Sequence, residues 1–263
     1  MKKYIIFPLL ALFALTSCTE VIDIPLEDAD KQVVVQASLY NTPGFSQVIL
    51  NQSGSYYEPG EYPALSGANV VISDDAGNSF LLEESRDGVY SLPTLAGEEN
   101  TSYHLEVEYE GETFEANSRI KTPIQIDSVS YEVAEASPFS EAGWMMQVHF
   151  TAENQADTYL RFRLVVNDTI LPQIFLYDGN LPRGGPNQYR FITASVQSGD
   201  QVQIITEVMD KETYSYFDQL AELTGDAFGP PSAAPANPKG NLKGGALGYF
   251  AAVAASVKVV MVP

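Results

Sequence analysis

The sequence predicts a mainly β protein: two antiparallel, immunoglobulin-like β-sandwich domains, the second carrying one amphipathic helix. Three observations predict it. Apolar residues alternate with polar ones at period two through most of the chain, the pattern of strands with one buried face. Fifteen tyrosines and thirteen phenylalanines supply side chains that pack well across strands. Gly, Asp and Asn turns punctuate the apolar runs at short intervals, and a single segment switches to helical period.

The first eighteen residues stand apart from that pattern. Lys2 and Lys3 precede an apolar run from Tyr4 to Leu15, and Leu15-Thr16-Ser17-Cys18 brings in the only cysteine. This is the layout of a secretory signal ending at a lipobox. Residues 1–17 therefore read as a lipoprotein signal peptide and Cys18 as the lipid-attachment site. A generic signal peptide with an incidental cysteine is the other reading. The apolar run is too short to span a bilayer, which takes about 20 residues. Lipidation consumes the one thiol, so stability has to come from hydrophobic cores. Residues 18–31 follow as an acidic tether. Acidic residues just after the anchor resemble surface-export signals, but Val21 and Ile22 dilute them, and the face of the membrane is left open.

Residues 32–122 read as the N-terminal sandwich. Val33, Val35, Ala37 and Leu39 share one face of a first strand, and Gln47–Asn51 forms a second. Ala68, Val70 and Ile72 lead into the turn Asp74-Asp75-Ala76-Gly77-Asn78 and a return strand with Phe80 and Leu82. Gly88–Leu92 adds another. Tyr103, Leu105, Val107 and Tyr109 alternate with His104, Glu106 and Glu108, one face apolar and the other acidic. The turn at Glu110-Gly111 returns the chain through Phe114, Ala116 and Ile120 as a hairpin. About seven strands fit before Lys121-Thr122-Pro123, where proline breaks the ladder and marks a boundary.

Residues 123–263 read as a β-rich C-terminal domain. Val129, Tyr131 and Val133 begin it; Trp144, Met146, Val148 and Phe150, then Leu160, Phe162, Leu164 and Val166, continue the alternation. Val202, Ile204, Thr206 and Val208 make a further strand, and Ala255, Val257, Val259 and Met261 close the chain. The helix is residues 211–223. At about 100° per residue it places Tyr214, Tyr216, Phe217, Leu220, Ala221 and Leu223 on one half of the wheel. Asp210 is a suitable N-cap and Gly225 a suitable stop. The aromatic face packs on the sandwich or meets a partner. The Pro/Gly-rich loop 225–245 either carries function or wraps a sheet edge.

Composition narrows function by exclusion. With 34 acidic and 14 basic residues the net charge is −20, and loss of Lys2 and Lys3 makes it more negative still. Such a field repels nucleic acid and anionic membrane surfaces. Hydrophobic content of 45% argues against disorder despite that charge. No catalytic constellation emerges, and the expectation is a protein that is not an enzyme and has no cofactor and no metal. His104 and His149 lie outside any ligand spacing, and no nucleophile elbow or phosphate loop is present. Asp74-Asp75-x-Gly77-Asn78 lacks the full calcium loop and reads as a hairpin turn.

Two stretches suggest binding. Tyr56, Tyr57 and Tyr62 sit on a loop between strands, where tyrosines make adaptable contacts or fold back over a sandwich end. Arg161 and Arg163 share a strand face, with Arg183 and Arg190 nearby in sequence. They present a fork to a carboxylate or form a solvated face balancing local acids. Asp127-Ser128-Val129 and Asp168-Thr169-Ile170 resemble a short bacterial O-glycosylation motif, which makes Ser128 and Thr169 candidate acceptors.

An ordered set of short motifs carries a family resemblance. It runs from Cys18 with Val21-Ile22-Asp23 through Val33-Val34-Val35 and Tyr56-Tyr57-Glu58 to Ser66-Gly67-Ala68-Asn69-Val70 with Gly88-Val89-Tyr90. It continues with Thr213-Tyr214, Pro235-Ala236-Asn237-Pro238 and Gly245-Ala246-Leu247-Gly248-Tyr249-Phe250. The chain resembles the lipoprotein family known as domain of unknown function 4249. The resemblance implies a Gram-negative envelope lipoprotein, lipid-anchored at the outer membrane and associated with TonB-dependent receptors. It brings no established catalytic residues. Residues 67–92 also look like the small sandwich modules of the carboxypeptidase regulatory type, an architectural likeness that transfers no peptidase chemistry. The expected function is a non-catalytic binding or accessory subunit, with a surface adhesin or glycan-binding module as the alternative. An enzyme of unrecognised type ranks third. If Cys18 is the anchor, Cys18→Ala should abolish incorporation of a labelled fatty acid and release the chain from the membrane fraction. Membrane retention of a mature, unlabelled variant would contradict the assignment.

Overall fold

Alternation at period two becomes a ladder of strands because each strand has one face to bury and backbone groups that need partners. The computed structural model describes residues 30–54, 60, 62–136, 142–152, 157–179, 187–225 and 236–263, with the side chains of 193–195 also outside the description. The signal peptide, Cys18, Tyr56, Tyr57 and Arg183 lie outside the described residues. The first half contains β1 (Val33–Tyr40), β2 (Gln47–Gln52), β3 (Asn69–Asp74), β4 (Ser79–Arg86), β5 (Val89–Ser91), β6 (Ser102–Tyr109) and β7 (Glu112–Arg119). The second contains β8 (Ile126–Ala134), β9 (Gly143–Phe150), β10 (Tyr159–Val166), β11 (Thr169–Ile170), β12 (Phe175–Asp178), β13 (Gln188–Val196) and β14 (Gln201–Met209). Helix α1 (Lys211–Thr224) and the long β15 (Leu247–Met261) complete it.

The mainly β, sandwich-like class stands, with one helix among the described residues. A 12-stranded sheet runs in the order β11-β10-β14-β15-β1-β2-β5-β4-β3-β6-β7, with β12 also on β10, and a three-stranded sheet runs β13-β9-β8. One detail departs from a purely antiparallel pattern: β1 and β15 pair in parallel, Val35 opposite Gly248 and Tyr40 opposite Val253. Parallel neighbours need a long connection, and here most of the chain lies between them. The sheet therefore continues across the sequence boundary at Lys121-Thr122-Pro123.

One cluster of buried side chains fills the interior, from Val35, Leu50, Leu105 and Phe114 in the first half to Met146, Phe162 and Ile204 in the second. Between the three-stranded sheet and β10, aromatic rings meet edge-on or tilted. Phe150 lies 6.0 Å from Phe162 and 5.1 Å from Tyr177, and Phe162 lies 5.6 Å from Phe191. Burying each such ring contributes about 1.5–3 kcal/mol. Val133, assigned by alternation to an inward face, is exposed, as are Val257, Val259 and Met261. Alternation identifies which residues share a face but not whether a second layer covers it.

β15 joins the halves. Its first part pairs with β1 and its second with β14. Residues 250–254 are buried on both faces, and Ala251, Ala252 and Ala254 keep the strand thin where layers close on it. Gly248 adopts φ +103°, and a Cβ there would lie 2.0 Å from the Val35 carbonyl oxygen. Gly245 has a similar φ of +91° but open space around it. Gly248→Ala should therefore cost about 2–4 kcal/mol, and Gly245→Ala about 1 kcal/mol. Urea denaturation of the two variants measures the difference; equal losses would show that backbone strain alone, not the β1–β15 approach, sets the cost.

Candidate functional site

The residues that alternate away from the core form an outer face of the large sheet. Strand register sets Arg161, Glu207 and Ala255 in one row across β10, β14 and β15, and Arg163, Ile205 and Val257 in the next. Tyr40 ends β1 opposite Val253 in the same stretch of β15. The arginine fork thus meets a carboxylate of the chain itself. Arg161 Nε donates to Glu207 Oε2 at 2.5 Å, and the Tyr40 hydroxyl donates to Glu207 Oε1 at 2.9 Å. Arg163 Nη1 stands 3.6 Å from that same Oε1.

Glu207 is fully buried, with a side-chain exposure of 0% against 13% for Arg161 and 36% for Arg163. Burial alone would raise its pKa, but attraction to Arg161, the hydrogen bond from it, Arg163 and the Tyr40 hydroxyl together lower it. Glu207 is an anion in the folded state. Burial also weakens the charged form of Arg161, yet Glu207 outweighs that and raises its pKa. Burial, then the Glu207 charge, raises the Tyr40 hydroxyl, keeping it a donor.

Helix α1 encloses one side of this cluster. Asp210 caps it, accepting from the Thr213 N–H at 2.8 Å, and the chain leaves at Gly225 in the left-handed conformation. Thr213, Tyr216, Phe217 and Ala221 are buried; Leu223, placed on the apolar half by the helical wheel, is exposed, two positions beyond the last buried residue of the helix. Tyr216 and Phe217 join Tyr159 and Met209 in a small second core on the outer face. The Arg161 guanidinium carbon lies 3.9 Å from the centre of the Phe217 ring, and Tyr249 lies 5.0 Å from the same ring. Arg161 is thereby held between an aromatic face and a carboxylate.

Beyond the helix the outer face is open among the described residues. A cleft of about 760 Å³ is lined by Gln36, Tyr40, Phe45, Arg163, Ile170 and Val257, among others. A second cleft of about 930 Å³ is lined by Gln32, Gln36, Asn51, Tyr62, Tyr216, Asn237 and Pro238, among others. Gln36 lines both, so the two clefts adjoin at β1, and together they make up the groove on this face. Tyr62, well exposed, and the Asn237-Pro238 end of the loop thus meet in the second cleft, while Arg161 and Arg163 line the first. The rest of the described loop covers an edge: Lys243 pairs with Glu115 of β7, the last strand of the sheet. Glu207 carries no mark of its own in the sequence. The only signal for it was two arginines spaced to share a strand face.

The remaining candidates are dispersed. Ser128 and Thr169 are exposed, on β8 and β11. Arg190 pairs with Glu132 on the three-stranded sheet, away from the groove. His149 Nε2 lies 2.9 Å from the Ser130 hydroxyl. Asp74 accepts from the Ala76 and Asn78 N–H groups and from the Asn78 side chain, which holds it in the hairpin turn and lowers its pKa. His104, Glu106 and Glu115 bring ligand atoms within 4.8 Å of one another on the acidic face of β6 and β7, where His104 Nδ1 bonds the Asn117 side chain.

Removing the buried carboxylate should leave Arg161 uncompensated. Glu207→Gln is expected to cost about 3–5 kcal/mol near neutral pH. Because the folded pKa of Glu207 is depressed, its contribution is present above the unfolded carboxylate range near about 4.3 and is lost as pH falls through the folded value. The stability gap between wild type and Glu207→Gln should narrow on acidification; denaturation midpoints measured from pH 7 to 3 test this, and a constant gap would contradict it.

None of the curated proteins compared with the chain matches it. A family model does, over residues 19–258, and it takes in the whole groove with β1, β10, β14, α1 and most of β15. That match spans nearly the full sequence, and the chain belongs to the family described as Domain of unknown function (DUF4249).

Proposed function

We propose that the protein is a lipid-anchored lipoprotein of the cell envelope, held at the outer membrane through Cys18. It acts there as a non-catalytic binding or accessory subunit, serving a TonB-dependent outer-membrane receptor. The observation that carries the binding role is the groove. Tyr62 and Asn237-Pro238, far apart in sequence, line one of its clefts, and the Arg161/Arg163 pair lines the adjoining one. Rigid strands form its floor, the arrangement that positions contact residues most accurately. The envelope location rests on the leader and on what family resemblance implies.

A second reading has its own support. The half of the groove near Tyr62 is rich in amides, with Gln32, Gln36, Asn51, Gln52 and Asn237 beside Tyr62 and Tyr216. Amides and aromatic rings suit sugar hydroxyls and sugar faces, which favours a glycan-binding surface module.

Affinity capture from solubilised membranes separates the two. The accessory role predicts that wild-type chain recovers an outer-membrane receptor and that Tyr62→Ala reduces recovery about tenfold or more. Failure to recover any receptor ends that role. Binding on a glycan array that is lost in Tyr62→Ala would establish the second reading instead.

A further inference from the structure

The half of the groove around Arg163 has a charge and a shape that the accessory role does not explain. Arg161 and Arg163 face one acid, Glu207, the only acidic residue among the described residues lining that cleft. Arg161 neutralises Glu207 through a direct hydrogen bond, so the cluster retains one positive charge, and this on a chain of net charge −20. The surplus sits on Arg163. Its 3.6 Å separation from Glu207 Oε1 is too long for a good hydrogen bond, and that oxygen already accepts from Tyr40. The Arg163 side chain is about one-third exposed, and it stands at the cleft wall.

Next to this charge the face is apolar and uncovered among the described residues. Ile205 neighbours Arg163 across β14, and Val257 neighbours Ile205 across β15. Ile170 is 54% exposed, Val257 55% and Phe45 66%. A guanidinium with donors to spare, beside an apolar strip, complements a carboxylate carried on an apolar body. Glu207 fixes the polarity of the site. It holds Arg161 against Phe217 and leaves Arg163 to face outward.

We infer that this part of the groove binds an apolar monocarboxylate, its carboxylate paired with Arg163 and its apolar portion lying over Ile205, Val257 and Ile170. The inference rests on the reading of the groove as a binding surface and names the chemistry of what enters it. A short fatty acid and the free C-terminus of an apolar peptide both offer that chemistry.

Calorimetric titration of the full chain in lipid nanodiscs, with empty nanodiscs as blank, tests it. Four probes are used: octanoate, octanamide, an N-acetylated tetrapeptide ending in Val-Ile, and the same peptide amidated. At least one acid should bind about tenfold or more tighter than its amide, as expected for losing a charge-assisted hydrogen bond. Which acid does so identifies the source. Arg163→Gln should remove the preference, Arg163→Lys should restore part of it, and Val257→Asp should weaken the acid. Thermal melts confirm that each variant is folded. Equal affinity for acid and amide, no binding of either acid, or a preference that survives Arg163→Gln would each overturn the inference. Receptor capture that persists alongside such a result leaves the accessory role standing. Loss of capture with the acid preference intact overturns that role and not this site.

Discussion

Every backbone group of β15 needs a partner on both edges, and satisfying that need organises the molecule. β1 supplies one edge for residues 247–253, and β14 supplies the other for 254–261. Where a neighbouring strand stops, side chains continue the ladder. Asn41 follows the end of β1, accepting from the Ala255 N–H at 2.9 Å and donating to the Ala255 carbonyl. Asn241 does the same for Phe250, accepting at 2.9 Å and donating at 2.8 Å. Ser118 accepts from the Ala252 N–H and donates its own hydroxyl hydrogen bond to Asp210, the residue that caps α1. Unsatisfied groups at this depth would each cost about 1–3 kcal/mol. The same few polar side chains thus fix the helix, the edge strand β7 and the loop before β15 relative to one another.

That arrangement determines where the groove lies. With its inner face closed by the main core, the large sheet has one face left, and among the described residues α1 covers only part of it through a second, smaller core. Arg161 sits at the margin of that cover. It stacks on Phe217 on the helix side and bonds Glu207 beneath, so its position depends on a helix cap and on strand register together. Displacing β15 by two residues against β14 would move Ala255 away from Glu207, where its small side chain leaves room for the Tyr40 hydroxyl to reach the carboxylate.

The strands and helix were legible in the sequence because both follow from local periodicity. The seven strands of the first half, the Asp74 turn and the capped helix all appear where alternation, turn residues and caps place them. The parallel joining of β1 to β15 was not legible, since nothing local connects residues 33–40 to residues 247–253. The site was legible in halves. Arg161 and Arg163 announced a need for an anion; Glu207, forty-odd positions on, met it only once β10 and β14 paired in register. Tyr62 stood out as a loop tyrosine, but its neighbours Tyr216 and Asn237 came from segments that the fold alone brings near. Exposure of Val257, Val259 and Met261 was hidden for a related reason: period-two patterning looks the same whether a strand faces a second layer or open space.

The buried ion cluster is a poor device for stability alone. Replacing a buried pair by apolar residues of similar size is often neutral or stabilising, because two desolvation penalties offset much of the mutual attraction. Here the surroundings would suit such a replacement: Ile205 and Val257 lie one row away on the same face, and Phe217 and Tyr249 lie beside Arg161. An all-apolar version of this patch would merge with the exposed strip and bind any greasy surface. The charges give it direction instead. Glu207 uses both its oxygens within the protein, Arg161 is spent in holding it, and the one charge left pointing outward is that of Arg163. A site built in this way discriminates by charge sign at one end and by hydrophobicity along the other, two requirements that few solutes meet at once.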